Sequence, residues 1–383
     1  MKSWIEISEE RLQGNYGVLG ERAGAGTTVM AVVKANAYGH GAEQCAVALA
    51  RTGSAWFGVA DVREGAAVRC ALDAAGFVGA QVLVLCGLLV EDVAELVQHR
   101  LTPVVWTVEQ VRALGGHPGM QVHIELETGM GRQGCRPGAE LDAVLDAIEA
   151  AGLSLGGAMT HFCAAEVVGS AKTREQMAEF ERAVSHVDSR NIKPECVHAG
   201  ASSSLDNPNW YPEWLAGLAA SVGAKPMVRC GIGLYGYCNP LEDGEPVIRP
   251  KLLPVMTWKT RVLDVRQVEA GDCIGYNSTF TAPKPMRLAL LPIGYADGMR
   301  RSLSSTNAHE GGWVMVRGQR APILGRVSMN LTMVDVSGIE SVAVGDEVVL
   351  LGDGITADDH ARLAGTISYE ILCGVRGETI SSR

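Results

Sequence analysis

Apolar residues recur along the chain in two rhythms, and the rhythm changes near residue 240. Before that point, short runs rich in Val, Ile, Leu and Ala alternate with polar loops and with apolar residues at helical spacing. β-Branched runs bounded by turn formers read as buried strands. The pattern predicts strands at 28–34, 55–60, 81–86, 102–106, 121–127, 154–160, 195–198 and 226–229. Helical spacing fills the intervals at 42–51, 91–99, 108–114, 140–151 and 174–187. Eight strands, each followed by a crossover, predict a closed (β/α)8 barrel over residues 10–240. Later, helical periodicity is weak except near 357–363. Strands are expected there at 251–268, 286–293, 312–323, 326–336 and 347–351, implying a smaller, mostly β domain over 241–383. A first strand within residues 1–9 is expected to join that second domain.

Composition removes several function classes. The 383 residues are 47% hydrophobic and 20% charged, with a net charge of -10 that argues against a nucleic-acid binder. No apolar run approaches a transmembrane length, and the amino terminus lacks the pattern of a signal peptide. Ten cysteines without a CxxC pair argue for reduced, mostly buried thiols, with no metal site and no disulfide scaffold. A cytoplasmic protein is expected, with no membrane partner.

The barrel prediction directs attention to the loops after the strands, where such folds carry their chemistry. Val32-Val33-Lys34-Ala35-Asn36-Ala37-Tyr38-Gly39-His40-Gly41 delivers Lys34 at the end of the first strand. A buried lysine is held in its neutral, nucleophilic form and can condense with an aldehyde. A lysine that merely snorkels from a strand end is the alternative. The fifth strand leads into Thr128-Gly129-Met130-Gly131-Arg132, and the sixth into Thr160-His161-Phe162. The seventh ends at His198 before Ala199-Gly200-Ala201-Ser202, and the eighth in Arg229-Cys230-Gly231-Ile232-Gly233. Each has a structural reading as a turn, a core histidine or a helix cap, yet together they gather Lys, Tyr, Arg, His and Ser at one end of the barrel. Loops after strands seven and eight often cradle phosphate, and Ser202, Gly231 and Ile232 fit that use. An imine-forming lysine beside a phosphate cup points to pyridoxal 5'-phosphate. Arg229 refines this, because a guanidinium only donates and would leave the pyridine nitrogen unprotonated.

These stretches, with Ile293-Gly294-Tyr295-Ala296-Asp297-Gly298 and Gly325-Arg326-Val327-Ser328-Met329, resemble motifs of the alanine racemase family, in the family's order and over nearly the whole chain. The resemblance implies a homodimer with shared active sites and a small amino-acid substrate, interconverting L- and D-alanine for peptidoglycan precursors. It implies that Lys34 carries the cofactor and serves the D face, while Tyr295 from the partner serves the L face. His161 would bond Arg229 and tune Tyr295, and Arg132 would contact the cofactor's phenolic oxygen and the substrate. Tyr38, Ser202, Gly231, Ile232 and Tyr369 would hold the phosphate, and the backbone of Met329 the substrate carboxylate.

Four positions depart from the family pattern. Glu125 stands where many relatives have a carbamylated lysine, which suggests a built-in anion. Asn330 replaces an aspartate, Phe280 an entrance tyrosine and Ala201 an asparagine. A serine or broad-specificity racemase is therefore kept as an alternative. A decarboxylase is disfavoured by Arg229, and a non-catalytic carrier by the domain that bears Tyr295.

Overall fold

A computed structural model describes residues 2–382, which divide into two compact units. One comprises Leu12–Ala37 and Ala42–Leu253, the other Met1–Arg11, Tyr38–Gly41 and Pro254–Arg383. After the first strand, β1 (Ser3–Ser8), the barrel strands are β2 (Thr28–Val32), β3 (Trp56–Val59), β4 (Gln81–Val84), β5 (Thr102–Val105), β6 (Gln121–Glu125), β7 (Ser154–Met159), β8 (Cys196–His198) and β9 (Lys225–Cys230). They form a closed barrel in sequence order. All neighbours are parallel, and β2 pairs with β9 through Met30 and Arg229. Strands covered on both faces are apolar throughout rather than alternating; Met30, Ala31, Phe57, Val82, Leu83 and Ile124 are buried.

Most of the predicted barrel strands are one or two residues shorter than expected, and two of these differences matter for the site. β2 stops at Val32, and Lys34 opens a left-handed turn. Ala35, Asn36, Ala37 and Tyr38 all have φ between 52° and 54°. For residues with a Cβ this costs about 1–2 kcal/mol each. β6 stops at Glu125, and Glu127 folds into the following loop.

In the second unit β1 lies between β10 (Met256–Arg261) and β19 (Glu378–Ser382). The other strands are β11 (Asp264–Val268), β12 (Cys273–Ile274), β13 (Phe280–Thr281), β14 (Met286–Leu291), β15 (Trp313–Val316), β16 (Gln319–Leu324), β17 (Thr332–Asp335) and β18 (Glu347–Leu351). Among the described residues, nine of these form one sheet in the order β11-β14-β17-β16-β15-β18-β10-β1-β19, and β12 pairs with β13 apart. The expected strand 251–268 is two strands, with β10 next to β18 and β11 at the sheet edge next to β14. The expected strand 312–323 is a hairpin, because Arg317 and Gly318 adopt φ of 49° and 72°. Of 326–336 only β17 is extended.

The cysteines correct one expectation. Cys45, Cys135, Cys196, Cys230 and Cys238 are buried, but Cys70, Cys86, Cys163 and Cys273 are exposed, so burial holds for half of the thiols. Among the described residues no helix is long and apolar enough to cross a membrane.

Candidate active site

The barrel unit brings Lys34, Arg132 and Arg229 within electrostatic reach of His161. Burial pushes the His161 imidazole down to about 3, with the charges of Arg229, Arg132 and Lys34 acting in the same direction. The ring is therefore neutral near pH 7. Arg229 Nη2 donates to His161 Nδ1 at 3.1 Å and to the Thr160 carbonyl at 2.7 Å. A guanidinium has no lone pair to offer, so Nδ1 accepts and the ring proton sits on Nε2.

Arg229 is 5% exposed. Burial lowers its pKa to about 10, partly opposed by Glu125. Its Nη1 donates to the His198 carbonyl at 3.0 Å and lies 3.5 Å from His198 Nδ1. His198 Nε2 lies 3.0 Å from His123 Nδ1. With Nδ1 of His198 facing a donor, its proton belongs on Nε2, donated to His123. Burial drives the His123 imidazole down to about 3 and that of His198 well below its ordinary value. Cys196 lies beside this pair, but the two histidines bond each other under a guanidinium, an arrangement hostile to a cation.

The Lys34 turn is held from two sides. Glu64 sits in the first turn of the helix Val62–Ala74, where the Asp61 side chain caps its N–H. Its carboxylate accepts the Ala35 N–H at 2.7 Å and the Ala60 N–H at 2.9 Å, joining the loops after β2 and β3. Asn36 Oδ1 accepts the Ala42 N–H at 3.0 Å, and the Ala37 N–H donates to the Val33 carbonyl at 2.8 Å.

Arg132 is exposed at the end of a loop gathered around Glu127. Glu125 is 2% exposed and accepts from Gln133, the residue after Arg132. Burial pushes its carboxyl up, against the pull of Gln133, Arg229 and Arg132. Among the described residues it forms no ion pair with Arg132, so an anion at this position acts on the loop through Gln133 and through the field.

Buried polar groups lock the ends of β6 and β7. Thr128 and Thr160 share a hydrogen bond at 2.7 Å, and Gln176 donates to Thr128 Oγ1 at 3.2 Å and to the His161 carbonyl at 2.9 Å. Ser202 Oγ accepts the N–H groups of Gly231 at 3.2 Å and Gly233 at 3.0 Å. A Cβ on Gly233 would lie 3.0 Å from that oxygen, so the two loops meet closely here.

The second unit carries Tyr38, Tyr295, Met329 and Tyr369. Tyr38 and Tyr369 meet edge to face at 5.9 Å. Tyr295 and Met329 are brought together by backbone. The Tyr295 N–H donates to the Ser328 carbonyl and the Ala296 N–H to the Met329 carbonyl, each at 3.0 Å. A Cβ on Gly294 would overlap both carbonyls, which explains the glycine before the tyrosine. Tyr295 is 44% exposed and Met329 56%. Phe280 packs partly buried against the cluster of Ile274, Ala282, Met286, Leu288 and Leu324. Asn330 is exposed.

Residues 7–239 match the family described as alanine racemase, N-terminal domain, and residues 255–381 the alanine racemase C-terminal domain. The chain belongs to the alanine racemase family. The alanine racemase of Symbiobacterium thermophilum is 36% identical over 388 residues, spanning 97% of this chain and 94% of the relative. That of Syntrophobacter fumaroxidans is 34% identical over 385 residues, spanning 97% and 95%. The solved alanine racemase from Streptomyces coelicolor A3(2) has a TM-score of 0.84 at 32% identity, covering 99% of this chain and 98% of that one. The alanine racemase from Bacillus anthracis, with bound L-Ala-P, has a TM-score of 0.86 at 30% identity, covering 100% and 95%. The activity is that of a pyridoxal-phosphate-dependent alanine racemase.

The donor set suits that cofactor. Among the described residues the Nε–H of Arg229 and the N–H of Ile232 meet no acceptor, leaving donors for a ring nitrogen and a phosphate. Sequence reasoning missed Glu64, Glu127, Gln176 and the His123–His198 pair. The spacing Asp61-Val62-Arg63-Glu64 is a helix-start signature that could have drawn attention to Glu64. Nothing in the sequence marks His123 as the neighbour of His198.

Proposed function

We propose that the chain works in the cytoplasm as a homodimer with shared active sites, racemising alanine by two bases and supplying D-alanine for peptidoglycan precursors. In this reading residues 10–240 hold the cofactor, and residues 241–383 with 1–9 bring Tyr295 to the partner's barrel. The observation that carries it is Arg229 held by Thr160, His161 and His198. Pyridoxal phosphate supplies the electron-withdrawing ring that makes the substrate Cα proton removable.

Lys34 would hold the resting cofactor covalently through Nζ, and once the substrate amine takes over that bond the freed Nζ takes or returns the proton on the D face. The phenol oxygen of the partner subunit's Tyr295 does so on the L face. Opposite faces of a planar centre need two groups, each near enough to transfer a proton directly. His161 offers its Nε2–H to that phenol oxygen. Arg229, having only donors, would hold the ring nitrogen unprotonated, so the cofactor would supply a weaker sink and leave proton transfer to the two bases. Tyr38, Ser202, Ile232 and Tyr369 would hold the phosphate, and Gly231, whose N–H is given to Ser202 Oγ, would orient that hydroxyl toward it. Arg132 binds the phenolic oxygen and the substrate, and the Met329 N–H, without an acceptor among the described residues, binds the substrate carboxylate.

Incubation with L-alanine in ²H₂O tests this, following Cα exchange and optical rotation, with L-Ser, L-Lys and L-Arg in parallel. Release of CO₂ in place of racemisation would overturn the reading. Tyr295→Phe is expected to slow L-face exchange by about 10²–10⁴-fold, with D-face exchange much less affected. Equal loss on both faces would exclude the two-base assignment.

A further inference from the structure

We infer that Glu127 is the positioning residue for Arg132, working through the peptide backbone alone. Its Oε1 accepts the N–H groups of Gly129 and of Met130, the latter at 2.7 Å. Its Oε2 accepts those of Gly131 at 2.7 Å and of Arg132 at 3.2 Å. Four consecutive N–H groups thus converge on one carboxylate, the concave arrangement by which backbone loops bind anions. The chain reaches it because Gly129 and Gly131 adopt φ of 133° and 71°. Burial pushes the Glu127 carboxyl up, but the four N–H groups outweigh that and hold it below the usual carboxylate range.

The base of the loop is closed independently. The Glu127 N–H donates to the Cys135 carbonyl and the Cys135 N–H to the Glu125 carbonyl, each at 2.9 Å. Gly134 permits this closure, since a Cβ there would lie 2.7 Å from the Glu127 nitrogen. With its base pinned and its centre occupied by a carboxylate, the loop has one way to present residue 132.

Glu127 contacts Arg132 only at the peptide N–H. Among the described residues the Arg132 guanidinium has no hydrogen-bond or ion-pair partner. Glu127 therefore fixes where Arg132 stands while leaving its donors unspent. A carboxylate bonded to the guanidinium itself would compete with any anionic oxygen of cofactor or substrate. The inference rests on the assignment of Arg132 to the cofactor and substrate.

Glu127→Ala, Glu127→Gln and Arg132→Ala are compared with the wild-type holoenzyme for kcat and KM with L-alanine and for the visible absorption of the bound cofactor. Displacing a positioning loop by about an ångström lowers kcat/KM by about 10²-fold, so Glu127→Ala should approach Arg132→Ala in both the size of its loss and its altered spectrum. Glu127→Gln retains one acceptor and is expected to lose less, which keeps the comparison open if the alanine variant does not fold. Added formate should restore part of the loss in Glu127→Ala by occupying the vacated cup of N–H groups, and should restore nothing in Arg132→Ala. Wild-type behaviour of both Glu127 variants beside a crippled Arg132→Ala overturns the inference alone. A loss in Glu127→Ala with an unchanged spectrum and no response to formate also overturns it. Wild-type behaviour of Arg132→Ala overturns the assignment of Arg132, and the inference with it.

Discussion

The loops after β2 and after β6 each carry a basic side chain out of a barrel strand, and each is tied by a carboxylate that touches only backbone N–H groups. They differ in how the chain turns. After Lys34 it passes through Ala35, Asn36, Ala37 and Tyr38 in left-handed conformation, without a glycine until Gly39. Before Arg132 it uses Gly129 and Gly131 for the same region of backbone space. The first loop holds strained residues in place with Glu64, Asn36 and a backbone bond to Val33. The second needs little restraint of strain, and its carboxylate gathers four N–H groups to choose one shape among those that glycine permits. Strain that persists at a functional site is over-determined by its surroundings. The lysine proposed to hold the cofactor thus stands on the less forgiving backbone.

The largest expected effect comes from cutting the tie on the strained side. Glu64→Ala removes the acceptor of the Ala35 and Ala60 N–H groups. It is expected to cost about 2 kcal/mol of stability and to slow racemisation by about 10²-fold through misplacement of Lys34. Urea unfolding and steady-state kinetics check both. Wild-type activity in this variant would show that the turn holds itself and would break the comparison.

A second effect lies in the barrel interior on β6, the strand that leads into the Arg132 loop. His123 is fully buried, with a pKa near 3 against 6.5 unfolded. Between those values the unfolded chain binds the proton and the folded chain does not, so stability falls as pH is lowered from 6.5 and is insensitive to this group above it. The slope is about 1.4 kcal/mol per pH unit for this residue alone. Unfolding midpoints measured from pH 7 to pH 4, with His123→Gln as control, read it. An unchanged slope in the variant would place the acid sensitivity elsewhere.

The smallest effects have opposite signs on the two loops. Ala35→Gly relieves a left-handed Cβ at an exposed position, for a net gain of about 0.5–1 kcal/mol after the added freedom of the unfolded chain. Gly131→Ala puts a Cβ at φ 71° in open space and is expected to lose a similar amount, about 0.5–1 kcal/mol. Calorimetric Tm values would show the pair moving apart. Changes of the same sign would mean that the loops do not differ in the way their backbones suggest.

Legibility varied with the range of the interaction. The barrel could be read because each of its strands is a local run of apolar residues, and buried strands need no partner information to announce themselves. The hairpin within 312–323 was lost in one long run because Arg317 adopts a left-handed φ that an arginine does not advertise. Lys34, Arg132, His161 and Arg229 could be listed from strand ends. That His161 accepts from Arg229, and so carries its proton on Nε2, needed the distance between them.

The sequence by itself determined the eight-strand rhythm, the residues that follow each strand and the motifs that resemble a racemase, because all of these are local in the chain. Tertiary structure alone decided the left-handed backbone after Lys34, since Ala, Asn and Tyr carry no local preference strong enough to demand it. It also decided which groups face which. Glu64 lies 29 residues from the N–H it holds, and His123 lies 75 residues from the histidine it bonds. Such pairs are brought together by strand pairing, β2 with β3 for the first and β6 with β8 through β7 for the second, and pairing between strands far apart in the chain is not written in either strand alone.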